Sequence, residues 1–75
     1  MVREDDLPIA AMHRICKKAG AERVSGSASY ELAKTLDEIG VKIARESLDY
    51  ALHAGRRTVK AKDIKIASSK MFEKR

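Results

Sequence analysis

The sequence has few of the residues that stabilise a small protein from within. Its 75 residues include one cysteine, one proline, no tryptophan and only three other aromatic residues. A chain this short buries a smaller fraction of its surface than a larger domain does, and such domains commonly depend on disulfides, a metal or a partner chain. The lone cysteine, Cys16, excludes a disulfide within the chain and is typical of a reducing compartment.

Metal ligands are also scarce. His13 and Cys16 are three residues apart, which places two ligands on one side of a helix, but the only other histidine is the distant His53. Two ligands do not complete a zinc site. We therefore expect no metal and no other cofactor, and we interpret Cys16 as a packing residue. Of the usual stabilising devices, only a partner chain remains.

The sequence contains no pattern for membrane insertion, export or catalysis. No apolar run approaches the roughly 20 residues that span a bilayer, and the N-terminus lacks a signal-peptide pattern. The sequence has no nucleophile and base at a spacing typical of catalytic sites, and it has no glycine-rich phosphate-binding loop. It also has no pair of carboxylates that would line an active-site pocket. We expect a cytoplasmic protein without membrane contact that is not an enzyme.

Positive charge is concentrated toward the two ends of the chain. The formal net charge is +5, from 16 Lys and Arg against 11 Asp and Glu. Residues 7–24 and 55–75 are net positive, whereas residues 1–6 and 25–54 are net negative. This asymmetry indicates a basic rim for a polyanion and not a uniformly basic surface.

Three helical segments are predicted, with a glycine after each of the first two. The first begins near Pro8 and ends at Gly20, since proline suits a first turn and glycine a C-terminal stop. The second covers residues 27–53 with Ser25 as its N-cap, and the third covers residues 60–72. The predicted order is short helix, strap loop, long helix, strap loop, short helix.

The length of the middle helix predicts a dimer. A helix of 27 residues is about 40 Å long. A globule built from one such chain is only about 30 Å across. The apolar positions of the long helix continue to both of its ends, and two short helices do not cover them. A second copy of the long helix covers them.

Two runs of residues resemble the archaeal histones closely. The first comprises residues 7–10 (LPIA), 14–15 (RI) and 19–25 (AGAERVS), and the second is 53–64 (HAGRRTVKAKDI). They lie on either side of a long helix of the family's length, and together the resemblance covers residues 7–67.

The resemblance implies an all-α histone fold that forms a handshake dimer. It implies a histone-fold domain over residues 7–72, followed by a C-terminal tail over 73–75. Residues 1–6 form an N-terminal extension that is longer and more acidic than is usual in the family, and we expect it to be disordered. The expected partner is double-stranded DNA, which the dimer binds, bends and compacts on the chromosome. The dimer is a homodimer, or a heterodimer with a histone paralogue, and dimers associate further on DNA.

The resemblance also assigns roles to individual residues. Arg23 resembles the arginine that enters the DNA minor groove, and Thr58 the threonine beside it that holds a phosphate. Arg56 and Asp63 resemble the family's ion pair between loop and helix, which leads us to expect that Arg56 positions Thr58. The full set of expected DNA-binding residues is Arg14, Lys17, Arg23, Ser25, Arg57, Thr58 and Lys60. The expected contact between dimers involves Tyr50, His53 and Asp63.

Two other functions remain compatible with the residues alone. One is a histone-fold transcription subunit that pairs with a different chain and serves mainly as a protein contact. The other is a coiled-coil-like interaction module that does not bind nucleic acid. Arg23 and Thr58 favour DNA wrapping over both.

Overall fold

Three α-helices make up the regular structure of the protein. A computed structural model describes residues 7–73, and within this range it contains α1 (Ile9–Lys18), α2 (Gly26–His53), α3 (Ala61–Met71) and no strand. None of the helices in this range is long and apolar enough to cross a membrane. The predicted extension 1–6 and the last two residues of the predicted tail lie outside the described range. The prediction of three helices is confirmed, although α2 begins one residue earlier than predicted and α3 is one residue shorter at each end.

Helices α1 and α2 end in the same way. After α1, the Gly20 N–H donates to the Lys17 carbonyl oxygen at 2.9 Å and the Ala21 N–H to that of Cys16 at 3.1 Å. After α2, the Gly55 N–H donates to the Leu52 carbonyl oxygen and the Arg56 N–H to that of Ala51, both at 2.9 Å. This pair of bonds is the Schellman motif, which requires a positive φ at the first residue after the helix C-cap. Gly20 and Gly55 supply it, with φ of 110° and 74°.

Two polar side chains fix the starts of α2 and α3. The Ser25 hydroxyl accepts a hydrogen bond from the Ala28 N–H at 3.1 Å, so Ser25 is the N-cap that the sequence predicts. At α3, the Asp63 carboxylate accepts from the Lys60 N–H at 2.8 Å, while the Asp63 N–H donates to the Lys60 carbonyl at 2.9 Å. This reciprocal pairing satisfies backbone groups that the helix itself leaves open.

The chain divides after Glu38 into two units, each of which has a small interior. In the first unit, Met12 of α1 is buried together with Ser29 and Ala33 of α2. The small side chains at 29 and 33 let α1 approach the first half of α2.

The second unit buries residues of α2 and α3. Ser47 and Ala51 of α2 are fully buried, and Asp63 and Ala67 of α3 are buried. The Ser47 hydroxyl donates to the Ile43 carbonyl at 2.7 Å and lies 3.3 Å from the Asp63 carbonyl oxygen, which joins the two helices. The small residues at 47, 51 and 67 let the helices pack closely.

Most of the large apolar side chains remain exposed in a single chain. Only four apolar residues among the described ones are buried, and three of these are alanines. Nine large apolar residues are exposed: Ile15, Leu36, Val41, Leu48, Leu52, Val59, Ile64, Ile66 and Phe72. Burial of apolar surface is the dominant favourable term in folding, so one chain lacks the core of a stable protein. A partner chain must cover these faces.

The positive φ at Gly20 yields a prediction about stability. An alanine Cβ at this position meets no atom within 4 Å, so substitution strains the backbone without a steric clash. We expect Gly20→Ala to lower the free energy of unfolding by about 1–2 kcal/mol, measured by urea denaturation. Gly26→Ala is the control, because Gly26 is helical and equally open. Equal stability of the Gly20→Ala variant and the control would contradict the strained-backbone explanation.

Candidate nucleic-acid interface

The expected DNA-binding residues lie mainly on the two segments that join the helices. We call residues 19–25 loop L1 and residues 54–60 loop L2. Loop L1 carries Arg23 and Ser25, and loop L2 carries Arg57, Thr58 and Lys60. Arg14 and Lys17 lie on α1, and all seven residues are exposed.

An ion pair between Arg56 and Asp63 holds loop L2 against the start of α3. Arg56 Nη1 lies 3.0 Å from Asp63 Oδ2, and Arg56 Nη2 lies 3.1 Å from Oδ1. Arg56 Nη1 also donates to the Thr58 carbonyl oxygen at 2.8 Å. Because the planar guanidinium binds both carboxylate oxygens, the contact fixes direction as well as distance. The backbone at Thr58 is therefore tied to the first turn of α3.

The same contact changes the acidity of Asp63. The hydrogen bonds from Arg56 and from the Lys60 N–H lower the pKa of Asp63 from 3.8 to about 2, against a smaller opposing effect of burial. The hydrogen bond to Asp63 raises the pKa of the Arg56 guanidinium. The Asp63 side chain is 3% exposed and that of Arg56 22%, so both charges remain paired and partly shielded from water.

The other polar groups of loop L2 face outward. Arg57, Thr58 and Lys60 are exposed, and within residues 7–73 their side chains make no hydrogen bond or ion pair. The Thr58 hydroxyl and the two cationic groups are available to an anion. Loop L2 thus combines a fixed backbone with exposed side chains of the types that commonly contact DNA phosphates in proteins.

Loop L1 is attached to α1 through Lys17. The Lys17 ammonium donates a hydrogen bond to the Glu22 carbonyl oxygen, immediately before Arg23. Ser25 is engaged as the N-cap of α2, and its hydroxyl also lies 3.2 Å from that of Ser27. The Arg23 side chain is exposed and has no partner within the described part of the chain.

The three residues expected at a contact between dimers differ in accessibility. His53 is exposed at the end of α2, with Nδ1 3.3 Å from the Asp49 carbonyl oxygen, and Tyr50 is half-buried one turn earlier. Asp63 is almost completely covered by its own chain. Tyr50 and His53 therefore offer more contact surface than Asp63 does.

Two contacts of the site are not evident in the sequence. The bond from Lys17 to Glu22 crosses the end of a helix, and the bond from Ser47 to Asp63 joins residues 16 positions apart. Neither spacing is a recognised motif. Among residues 7–73, no three His, Cys, Asp or Glu side chains gather as ligands for a metal ion.

These features define a small all-α protein with two loops that each present an exposed arginine, and with exposed apolar faces on its helices. Residues 5–67 match the model of the family described as histone-like transcription factor (CBF/NF-Y) and archaeal histone. The match covers most of the chain, which therefore belongs to this family. The predictions of a histone fold and of a DNA-binding chromatin protein that is not an enzyme are confirmed by this membership.

Two archaeal relatives show how far the similarity extends. The chain is 47% identical over 62 residues to one of the subunits of archaeal histone HAN1 from Thermococcus zilligii. It is 53% identical, also over 62 residues, to probable archaeal histone 3 of Methanocaldococcus jannaschii. Each alignment covers 83% of this chain and 92% of the relative. A stretch of 62 of the 75 residues includes α2 and both loops, together with at least part of α1 and of α3.

The low pKa of Asp63 predicts a specific pH dependence of stability. An unfolded Asp63 titrates near 3.8 and the folded one near 2, so the stabilisation is complete above about pH 5 and is lost progressively as the pH falls through about 2. We expect Asp63→Asn to unfold at lower urea concentration than the wild type at pH 7. The difference between the two midpoints should shrink between pH 4 and pH 2.

The matched control for this experiment is Asp49→Asn, which removes an exposed carboxylate of α2. The difference between its urea midpoint and that of the wild type should stay nearly constant across the same pH range. If Asp63→Asn behaved in the same way as Asp49→Asn, the ion pair would not stabilise the fold.

Proposed function

We propose that this protein is an archaeal-type histone that homodimerises and binds, bends and compacts double-stranded DNA largely without sequence specificity. The observation that carries the proposal is the structure of loop L2, where the Arg56–Asp63 pair fixes the backbone and leaves Arg57, Thr58 and Lys60 facing outward. The protein acts on the chromosome in the cytoplasm.

Dimerisation follows from the apolar faces that one chain leaves open. Leu36, Val41 and Leu48 of α2 are exposed in the single chain, as is Ile15 of α1. In a handshake dimer, the α2 helices of two chains cross and cover such residues. The same surfaces serve a homodimer or a heterodimer with a histone paralogue.

The DNA contacts are phosphate and minor-groove contacts. Arg57, Thr58 and Lys60 bind phosphates at loop L2, while Arg14, Lys17 and Ser25 add donors and positive charge near loop L1. Arg23 enters the minor groove, where an arginine senses groove width and not base identity. Handshake pairing brings loop L1 of one protomer beside loop L2 of its partner, so that Arg23 and Thr58 act together.

Dimers associate further on DNA through the end of α2. Tyr50 and His53 supply the accessible contact surface, and Asp63 supports it from beneath through its bond to Arg56. An imidazole and a phenol side by side offer both apolar area and hydrogen-bonding groups. Such contacts extend a dimer into a larger assembly along one duplex.

The proposed role of Arg23 predicts a loss of affinity that is independent of sequence. We expect Arg23→Ala to weaken binding to random and defined duplexes alike, by about tenfold or more, because a charge-assisted contact is lost twice in each dimer. Fluorescence anisotropy with several duplexes of equal length measures this. A loss confined to one sequence would contradict a groove-width contact.

The control for Arg23→Ala is Arg45→Ala, which removes an exposed arginine of α2 outside both loops. It should change affinity far less. For the wild type, affinity should fall steeply with salt, with a slope of about −0.9 for each phosphate neutralised. An affinity that does not change with salt would exclude a backbone-dominated mode.

The proposed contact between dimers predicts a separation of two assembly steps. We expect His53→Ala to leave the dimer intact in the absence of DNA and to reduce the formation of larger assemblies on a duplex, as measured by sedimentation velocity. His13→Ala is the control, because His13 is an exposed histidine of α1. Dissociation of the His53→Ala dimer itself would show that His53 belongs to the handshake interface.

A further inference from the structure

Loop L1 has very little internal hydrogen bonding. Its first residues belong to the Schellman motif after α1, and its last residue, Ser25, caps α2. Between them, within the described part of the chain, the backbone groups of Glu22, Arg23 and Val24 make no backbone–backbone hydrogen bond. Among residues 7–73, the one hydrogen bond to this stretch comes from the Lys17 ammonium to the Glu22 carbonyl oxygen.

Loop L2 contains a similar contact. There, Arg56 donates to the Thr58 carbonyl oxygen at 2.8 Å. In both loops, a basic side chain from near the preceding helix end binds a carbonyl at or next to a proposed DNA contact. Loop L2 also has the Asp63 carboxylate to hold its arginine in place, whereas within residues 7–73 no carboxylate binds Lys17.

We propose that Lys17 is a positioning residue for Arg23, which holds loop L1 in its DNA-binding conformation through the Glu22 carbonyl. The inference rests on the proposed function, since it assumes that Arg23 contacts DNA. In this proposal, Lys17 does not bind a phosphate directly. It holds the backbone of loop L1, which carries Arg23, through a hydrogen bond.

The geometry of the peptide bond gives the physical reason. The Glu22 carbonyl and the Arg23 N–H belong to one rigid plane. A hydrogen bond to the carbonyl oxygen therefore also restrains the orientation of the Arg23 amide and the position of the Arg23 Cα, from which the side chain leaves the backbone. A loop that is ordered before binding loses less conformational entropy when DNA arrives.

Lys18 provides a matched comparison. It follows Lys17 in the last turn of α1, is exposed and carries the same charge. Within residues 7–73 its side chain makes no hydrogen bond. Any effect of charge alone on DNA affinity should therefore be similar at the two positions, whereas an effect through the loop should occur only at Lys17.

The first test is a double-mutant cycle on the full-length protein with a random-sequence duplex. We expect Lys17→Met to weaken binding by about threefold to tenfold in the wild type and by little in the Arg23→Ala background. Lys18→Met should cause the same small change in both backgrounds. The slope of affinity against salt in the Arg23→Ala background should not change when Lys17→Met is added.

The second test needs no DNA. ¹⁵N relaxation of the free protein should show a lower order parameter for the Arg23 amide in Lys17→Met than in Lys18→Met or the wild type. Lys17→Arg, which keeps both the charge and the donors, should preserve the order of the loop and the affinity. Urea denaturation of each variant shows whether the fold is intact.

Two results would overturn the inference. In the double variant, the fold losses of DNA affinity from Lys17→Met and Arg23→Ala could multiply, and the slope of log affinity against log salt concentration could become shallower by about a further 0.9. That result would show that Lys17 is a phosphate ligand. An Arg23 order parameter unchanged in Lys17→Met would show that the tether does not order the loop. If Arg23→Ala itself left affinity unchanged, the proposed function of Arg23 would fail, and the role of Lys17 in DNA binding with it.

Discussion

The structure depends on apolar surface that one chain cannot bury. Three alanines and a methionine make up the buried apolar residues of the described range, while large aliphatic side chains of all three helices remain exposed. Helix α2, with 28 residues, is about 42 Å long and provides much of this surface. Since the chain has no disulfide to compensate, burial against a second chain is the main remaining source of stability. Folding and dimerisation are therefore one process in this account.

In the proposed function, the two loops connect this architecture to DNA. Schellman motifs at Gly20 and Gly55 end the helices abruptly and set the direction of each loop. The Arg56–Asp63 pair then fixes loop L2, and the bond from Lys17 to Glu22 is the corresponding contact in loop L1. Basic side chains on an ordered backbone meet phosphates without a large entropic cost. Little of this depends on base identity, which is why we expect compaction and not sequence recognition.

The sequence predicts the helices better than the contacts within the loops. Apolar spacing, the serine at 25 and the glycines at 20 and 55 are local signals, and the helix bounds follow them within a few residues. The Arg56–Asp63 pair is predictable only through resemblance to the archaeal histones. The bonds from Lys17 and from Ser47 have no sequence signature, because each depends on where a side chain lies after the helices have formed. The proposed pairing of Arg23 with the partner's Thr58 needs two chains and is not a property of one sequence segment.

We expect the folded unit to contain two chains. Multi-angle light scattering of the purified protein, over a range of concentrations and of salt, tests it directly, with circular dichroism at each concentration to follow helix content. The account predicts twice the mass of one chain wherever the helices are formed, and a loss of helix content on dilution below the dimer dissociation constant. A folded, fully helical monomer would contradict it, because the exposed faces of α2 would then need no partner.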